Sequence, residues 1–140
     1  MTTQTVSVWM TPNPVTVTPE TTLPEAHRLM KERRIRRLPV MDGDKLVGIV
    51  TWGDIREASP SDATSLDIYE LHTLLAKLSV REIMTRSPIT VRPTTSIARA
   101  AQLMLEHKIG GLPVVNRHGR LIGIITESDI FRVLVLGTAA

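Results

Sequence analysis

The sequence predicts an α/β fold in which one small unit occurs twice. Three observations carry this. The chain has 140 residues, enough for a domain with a full core. An ordered set of motifs appears twice at nearly constant spacing, the mark of an internal repeat. Within each copy, short β-branched runs alternate with stretches of helical periodicity.

The duplication is read directly from the residues. Val6-Ser-Val-Trp-Met-Thr11 returns as Val80-Arg-Glu-Ile-Met-Thr85, and Pro14-Val-Thr-Val17 as Pro88-Ile-Thr-Val91. Ile35-Arg-Arg-Leu-Pro-Val40 returns as Ile109-Gly-Gly-Leu-Pro-Val114, still 74 positions on. After one inserted residue the spacing is 75, and Leu46-Val-Gly-Ile-Val-Thr51 matches Leu121-Ile-Gly-Ile-Ile-Thr126. Asp54-Ile55 then matches Asp129-Ile130.

Each copy has the same order of elements. A short opening segment runs to Met10 or Met84, followed by an extended stretch at Val15–Val17 or Ile89–Val91. A helix comes next. Thr22-Leu-Pro-Glu25 is a capping box with proline near the first turn, and Leu23, Ala26, Leu29 and Met30 recur at helical spacing. In the second copy Ser96 is the expected cap, with Ile97, Ala100, Ala101, Leu103 and Met104 on the buried face. A strand is expected at Leu38–Met41 and Leu112–Val115, a turn at Asp42-Gly43 and His118-Gly119, and a second strand at Lys45–Val50 and Arg120–Ile125. The second strands are nearly continuous in apolar residues, as expected of burial on both faces. A last helix starts near Trp52 and Glu127; the second carries Ile130, Val133 and Leu134 and stops at Gly137. Between the copies, residues 58–65 are rich in loop formers, and Leu66 to Leu78 reads as a helix with Ile68, Leu71, Leu74, Leu75 and Leu78 on one side. That helix is expected to cover the pair or to meet a partner chain.

About 60 residues give a marginal core, so neither copy is expected to stand alone. Two copies burying their sheets against each other around a pseudo-twofold axis would leave two equivalent clefts.

Composition narrows the function. Without cysteine there are no disulfides, thiolate nucleophiles, zinc fingers or iron–sulfur clusters. No apolar run reaches the roughly 18 residues of a membrane span, and Met1 to Val8 lacks the pattern of a signal peptide, so the chain is read as cytoplasmic with no membrane partner. The net charge of +3 leans toward anionic partners. Only Trp9, Trp52, Tyr69 and Phe131 are aromatic, few platforms for stacking single-stranded bases. His27, His72, His107 and His118 show no metal-ligand spacing, and no nucleophile motif or phosphate-binding loop is present. No catalytic residue and no metal site is assigned, and the chain is not expected to be an enzyme.

Met-Thr-x-x-Pro, then Ile-x-x-Leu-Pro-Val, then Leu-x-Gly-Ile-x-Thr-x-x-Asp, all occurring twice, resemble the CBS domain, and the tandem resembles a Bateman module. The likeness covers about Val6 to Val135, with repeats at 6–58 and 80–136 and a helical linker at 59–79. Residues 60–78 also resemble CBS proteins of the acetoin-utilisation family. The resemblance implies two β-α-β-β-α units paired through their sheets, disc-like homodimers, and a regulatory role. It implies as ligand an adenine nucleotide (AMP, ADP or ATP) or S-adenosylmethionine in the inter-repeat clefts, with no cofactor required.

The resemblance also places the site. The matching Thr or Ser and Asp of the family contact ribose, which assigns Thr51 and Asp54 in one copy and Thr126 and Asp129 in the other. The chemistry suits the types, since a carboxylate accepts two strong hydrogen bonds from a diol. The same Thr-x-x-Asp at a strand-to-helix junction is also a helix cap, and for the threonines both roles hold together. Arg36 and Arg37 stand where relatives carry phosphate-binding residues, whereas the second copy has Gly110-Gly111, so the two clefts differ in charge. The alternative for those arginines is a solvated basic face with Lys31, Arg33 and Arg34. Thr11, Thr16, Thr85 and Thr90 resemble base-proximal positions, or serve turns and strands. The leading expectation is a nucleotide sensor acting by population shift toward a partner or dimer mate. The rivals are a nucleic-acid binder, resting on the Arg33–Arg37 cluster, and a purely structural dimerisation module.

Overall fold

A computed structural model describes residues 4–58 and 76–137. The linker helix expected at Leu66 to Leu78 lies outside them up to residue 75, and Ala76 and Lys77 form a turn. The fold is α/β, with two three-stranded sheets.

The helices are α1 (Val6–Trp9), α2 (Leu23–Arg33), α3 (Trp52–Ala58), α4 (Val80–Ile83), α5 (Ile97–His107) and α6 (Glu127–Leu136). The strands are β1 (Thr11–Pro12), β2 (Arg37–Asp42), β3 (Lys45–Thr51), β4 (Thr85–Arg86), β5 (Gly111–Val115) and β6 (Leu121–Thr126). The long helices begin where side-chain caps stand. Thr22 accepts the Glu25 N–H at 3.4 Å and Ser96 accepts the Arg99 N–H at 3.0 Å, each satisfying an otherwise unpaired first-turn donor. Both end in a left-handed residue, Arg34 or Lys108 at φ 55°. Gly137 follows α6 as expected, but at φ −71° and ψ −19° it is right-handed, so its conformational freedom is not what ends the helix.

The chain forms two compact units that do not coincide with the sequence repeats. One unit is continuous, Val15–Ser87; the other is composite, joining the residues up to Pro14 to those from Pro88 onward. Each repeat therefore gives its opening helix and its first short strand to the other repeat's unit.

In the continuous unit the sheet order is β2-β3-β4, all antiparallel. The opening helix α4 is clipped to the loop before α2, Val80 N–H to Thr21 O at 2.8 Å and Arg81 N–H to Pro19 O at 3.0 Å. Its core joins Val17, Leu23, Ala26, Met30, Leu38, Val40, Val50 and Ile55 with Val80.

In the composite unit the order is β1-β6-β5. Here α1 is clipped to the loop before α5, Val6 N–H to Thr95 O at 2.8 Å and Ser7 N–H to Pro93 O at 3.0 Å. Its core is Val6 with Val91, Ile97, Ala100, Met104, Leu112, Val114 and Ile125.

The extended stretches around Val17 and Val91 do not become full strands. Each makes one parallel bridge, Val17 to Val40 and Val91 to Val114. Ile130 and Val133 pack on the composite core, whereas Leu134 points outward and is 64% exposed.

Candidate functional site

Both Thr-x-x-Asp motifs fold into the turn between a strand and a helix. Asp54 Oδ2 accepts the Thr51 N–H at 2.8 Å, and Thr51 Oγ1 accepts the Asp54 N–H at 3.1 Å. In the composite unit Asp129 Oδ2 accepts the Thr126 N–H at 2.8 Å and the Thr126 hydroxyl at 3.3 Å. The capping role is thus real at both junctions. It engages one carboxylate oxygen and leaves Oδ1 for another partner.

What meets Oδ1 differs. Asp129 is buried, and its Oδ1 accepts from Arg132 Nη2 one helical turn on. Asp54 is half-buried, and no ion pair joins it to another described residue. The position matching Arg132 is Glu57, which is exposed. Sequence reasoning passed over Arg132; the available signal was an acid and a base three apart on a helix, which meet on one face.

Sheet register brings the other expected residues to the junctions. Arg37 lies opposite Thr51, and Thr85 opposite Ile49. Strand alternation therefore sets Arg37, Thr51 and Thr85 on one face of the continuous sheet. The Arg36 carbonyl accepts the Trp52 N–H at 2.7 Å, and its side chain is exposed. In the composite unit Gly111 lies opposite Thr126 and Thr11 opposite Ile124, so Thr11 and Thr126 share a face. The Gly110 carbonyl accepts the Glu127 N–H at 3.0 Å. The threonine of each opening segment thus lies on the same sheet face as the junction threonine of the other repeat. Thr16 and Thr90 are exposed, next to the bridging residues Val17 and Val91.

The start of α3 carries one more unpredicted feature. The His27 ring stacks on Trp52 with centroids 4.5 Å apart. An open groove along α2, lined by Pro24, Glu25, His27, Arg28 and Lys31, contains none of the expected site residues. Among the described residues, no group of three His, Asp or Glu side chains is placed to hold a metal, and no helix is long and apolar enough to cross a membrane.

A duplicated α/β unit with a Thr-x-x-Asp cap at each strand-to-helix junction defines a tandem repeat module. Residues 6–61 and 80–136 each match the CBS domain family, and the chain belongs to it. Inosine-5'-monophosphate dehydrogenase of Korarchaeum cryptofilum is 42% identical over 84% of this chain, which spans only 21% of that enzyme's length. The crystal structure of the CBS-pair protein CBSX2 from Arabidopsis thaliana superposes with a TM-score of 0.85 at 33% identity, covering 99% of both chains. A complex of CBSX2 with AMP gives 0.75 at 38% identity, covering 94% and 96%. The CBS domain pair of protein MJ0100 in complex with 5-methylthioadenosine and S-adenosyl-L-methionine gives 0.79 at 30% identity, covering 96% and 98%. An acetoin utilization protein (AcuB) from Vibrio cholerae gives 0.77 at 32% identity, covering 96% and 92%.

Proposed function

We propose that the chain is a regulatory module that binds an adenosine-containing ligand at its Thr-x-x-Asp junctions. The observation that carries this reading is the duplicated cap, in which Oδ2 of Asp54 and of Asp129 is used by the turn, while Oδ1 of Asp129 accepts from Arg132 and Oδ1 of Asp54 takes no part in the cap. A carboxylate in that position accepts from the paired hydroxyls of a ribose. Similar CBS pairs that hold AMP, or 5-methylthioadenosine and S-adenosyl-L-methionine, support the ligand class.

In this reading Thr51 and Asp54, and Thr126 and Asp129, hold ribose. Arg36 and Arg37 face the phosphates of a nucleotide in the continuous unit. Thr85 and Thr16 flank its base, and Thr11 and Thr90 do the same in the composite unit. The ligand is AMP, ADP, ATP or S-adenosylmethionine, bound and not turned over. Binding shifts the population between two conformations, by no more than the ligand's differential affinity for them, and a partner or second copy reads the shift.

Thermal stability against AMP, ADP, ATP, S-adenosylmethionine, GTP and NAD tests the reading. A ligand specific for the native state stabilises by about 2.7 kcal/mol at a hundredfold excess over Kd. Adenosine compounds should raise Tm, with the rise reduced in Asp54→Ala or Asp129→Ala. No response from folded, nucleotide-free protein would reject the proposal. A second reading, nucleic-acid binding, rests on the exposed side chains of Arg33, Arg34 and Arg36. It requires affinity that falls steeply with salt.

A further inference from the structure

We propose that Arg132 reads the anionic group of a ligand in the composite unit and is parked on Asp129 until that ligand arrives. This rests on the adenosine reading and extends it to the second junction, whose strand side carries only glycine.

The two junctions draw cations from opposite sides. In the continuous unit Arg36 and Arg37 stand on the strand side, and the helix side one turn past Asp54 offers Glu57. In the composite unit the strand side offers Gly110 and Gly111, and the helix side one turn past Asp129 offers Arg132. At the composite junction the strand positions matching Arg36 and Arg37 thus offer no cation and the helix offers Arg132, whereas the matching helix position in the continuous unit carries the acid Glu57.

The ion pair is suited to exchange. The Asp129 side chain is 3% exposed and that of Arg132 is 53% exposed. A buried carboxylate needs a compensating partner, which Arg132 supplies. The guanidinium has five donors in a planar fork, so it can keep one on Asp129 and turn others to a phosphate in the water beside it. Pure charge compensation makes a different prediction, because it takes no account of whether the ligand is charged.

Calorimetric titration with adenosine and with AMP separates the two. Wild type, Asp54→Ala, and Asp54→Ala combined with Arg132→Gln should be compared, since Asp54→Ala leaves the composite junction as the site. Removing the guanidinium should weaken AMP about tenfold or more and leave adenosine unchanged or tighter. Arg132→Lys should retain part of the AMP preference. In wild type, the Arg132 Nε–H resonance should move with AMP and not with adenosine, a readout that does not depend on a variant folding. An unchanged AMP-to-adenosine ratio, or a resonance that moves alike with both, overturns the inference and leaves the adenosine reading standing. Wild type that binds none of adenosine, AMP, ADP, ATP and S-adenosylmethionine overturns the reading and the inference with it.

Discussion

The sulfur of Met10 lies against Gly123 so closely that a Cβ on that glycine would stand 2.5 Å from it and 3.0 Å from the Thr11 carbonyl oxygen. Met84 and Thr85 approach Gly48 in the same way, at 2.6 and 2.9 Å. The Met-Thr of each opening segment and the glycine of Leu-x-Gly-Ile are therefore two halves of one contact. It seats β1 on β6 and β4 on β3.

Gly123→Ala and Gly48→Ala should each destabilise by about 1–3 kcal/mol, because a flexible sulfur can move aside but a paired strand carbonyl cannot. Gly53→Ala is the control. Its Cβ would meet only Thr51 Oγ1 at 3.6 Å, an ordinary contact, and alanine in a helix should gain up to about 1 kcal/mol. Urea denaturation midpoints check all three, and equal losses would refute the close-approach argument.

The caps contribute to stability before any ligand is bound. Thr51→Val should cost about 1 kcal/mol by removing the acceptor for the Asp54 N–H. Asp129→Ala should cost more than Asp54→Ala, because it strips both the cap and the Arg132 partner from a buried place. Chemical denaturation of the ligand-free variants gives the order directly.

Stability should respond to acid at one exposed pair. Arg81 Nη2 donates to Glu20 Oε1 at 2.6 Å, and this hydrogen bond holds the Glu20 carboxyl below its ordinary value of 4.5. A carboxyl lowered on folding contributes stability above its unfolded pKa and loses it as pH falls through its folded pKa. Glu20→Gln should therefore cost little near neutrality, as exposed pairs do, and nothing once the wild-type carboxyl is protonated. Carboxyl resonances of wild type and Arg81→Gln check it: the low Glu20 pKa should disappear in the variant.

Phe131 and Val135 stand four apart on α6 and are 61% and 72% exposed. The homodimer that the family resemblance implies can be tested at this face. Phe131→Glu should shift sedimentation toward monomer while the monomer keeps its native far-UV spectrum, with Tm falling only by what association contributed, and an unchanged sedimentation profile would remove this face from the dimer reading.

Local pattern was enough for much of this protein. Thr22 and Ser96 stand at helix starts because a capping oxygen serves amides only a few residues away. Gly43 and Gly119, at φ 62° and 77°, mark the hairpin turns between paired strands for a similarly local reason. The opening segments were less legible. Val6–Trp9 is one helical turn, too short for periodicity to register, and Thr11–Pro12 is a strand only because β6 stands beside it. Arg132 was missed because an exposed helical arginine looks the same in sequence whether or not it rests on a buried carboxylate.

The amino-acid order settles the α/β class, the duplication and the two Thr-x-x-Asp turns, since each depends on spacings of a few residues. It does not say which copy's opening segment joins which sheet. The two copies are so alike that either sheet edge would accept either strand by local pattern. The choice is made by long-range packing, with Val6 buried in the core that holds Leu112 and Val114, and Val80 in the core that holds Leu38 and Val40. That choice puts Thr11 opposite Ile124, on the face that carries Thr126, and Thr85 opposite Ile49, on the face that carries Thr51, so each sheet that bears a junction is built from both copies of the repeat.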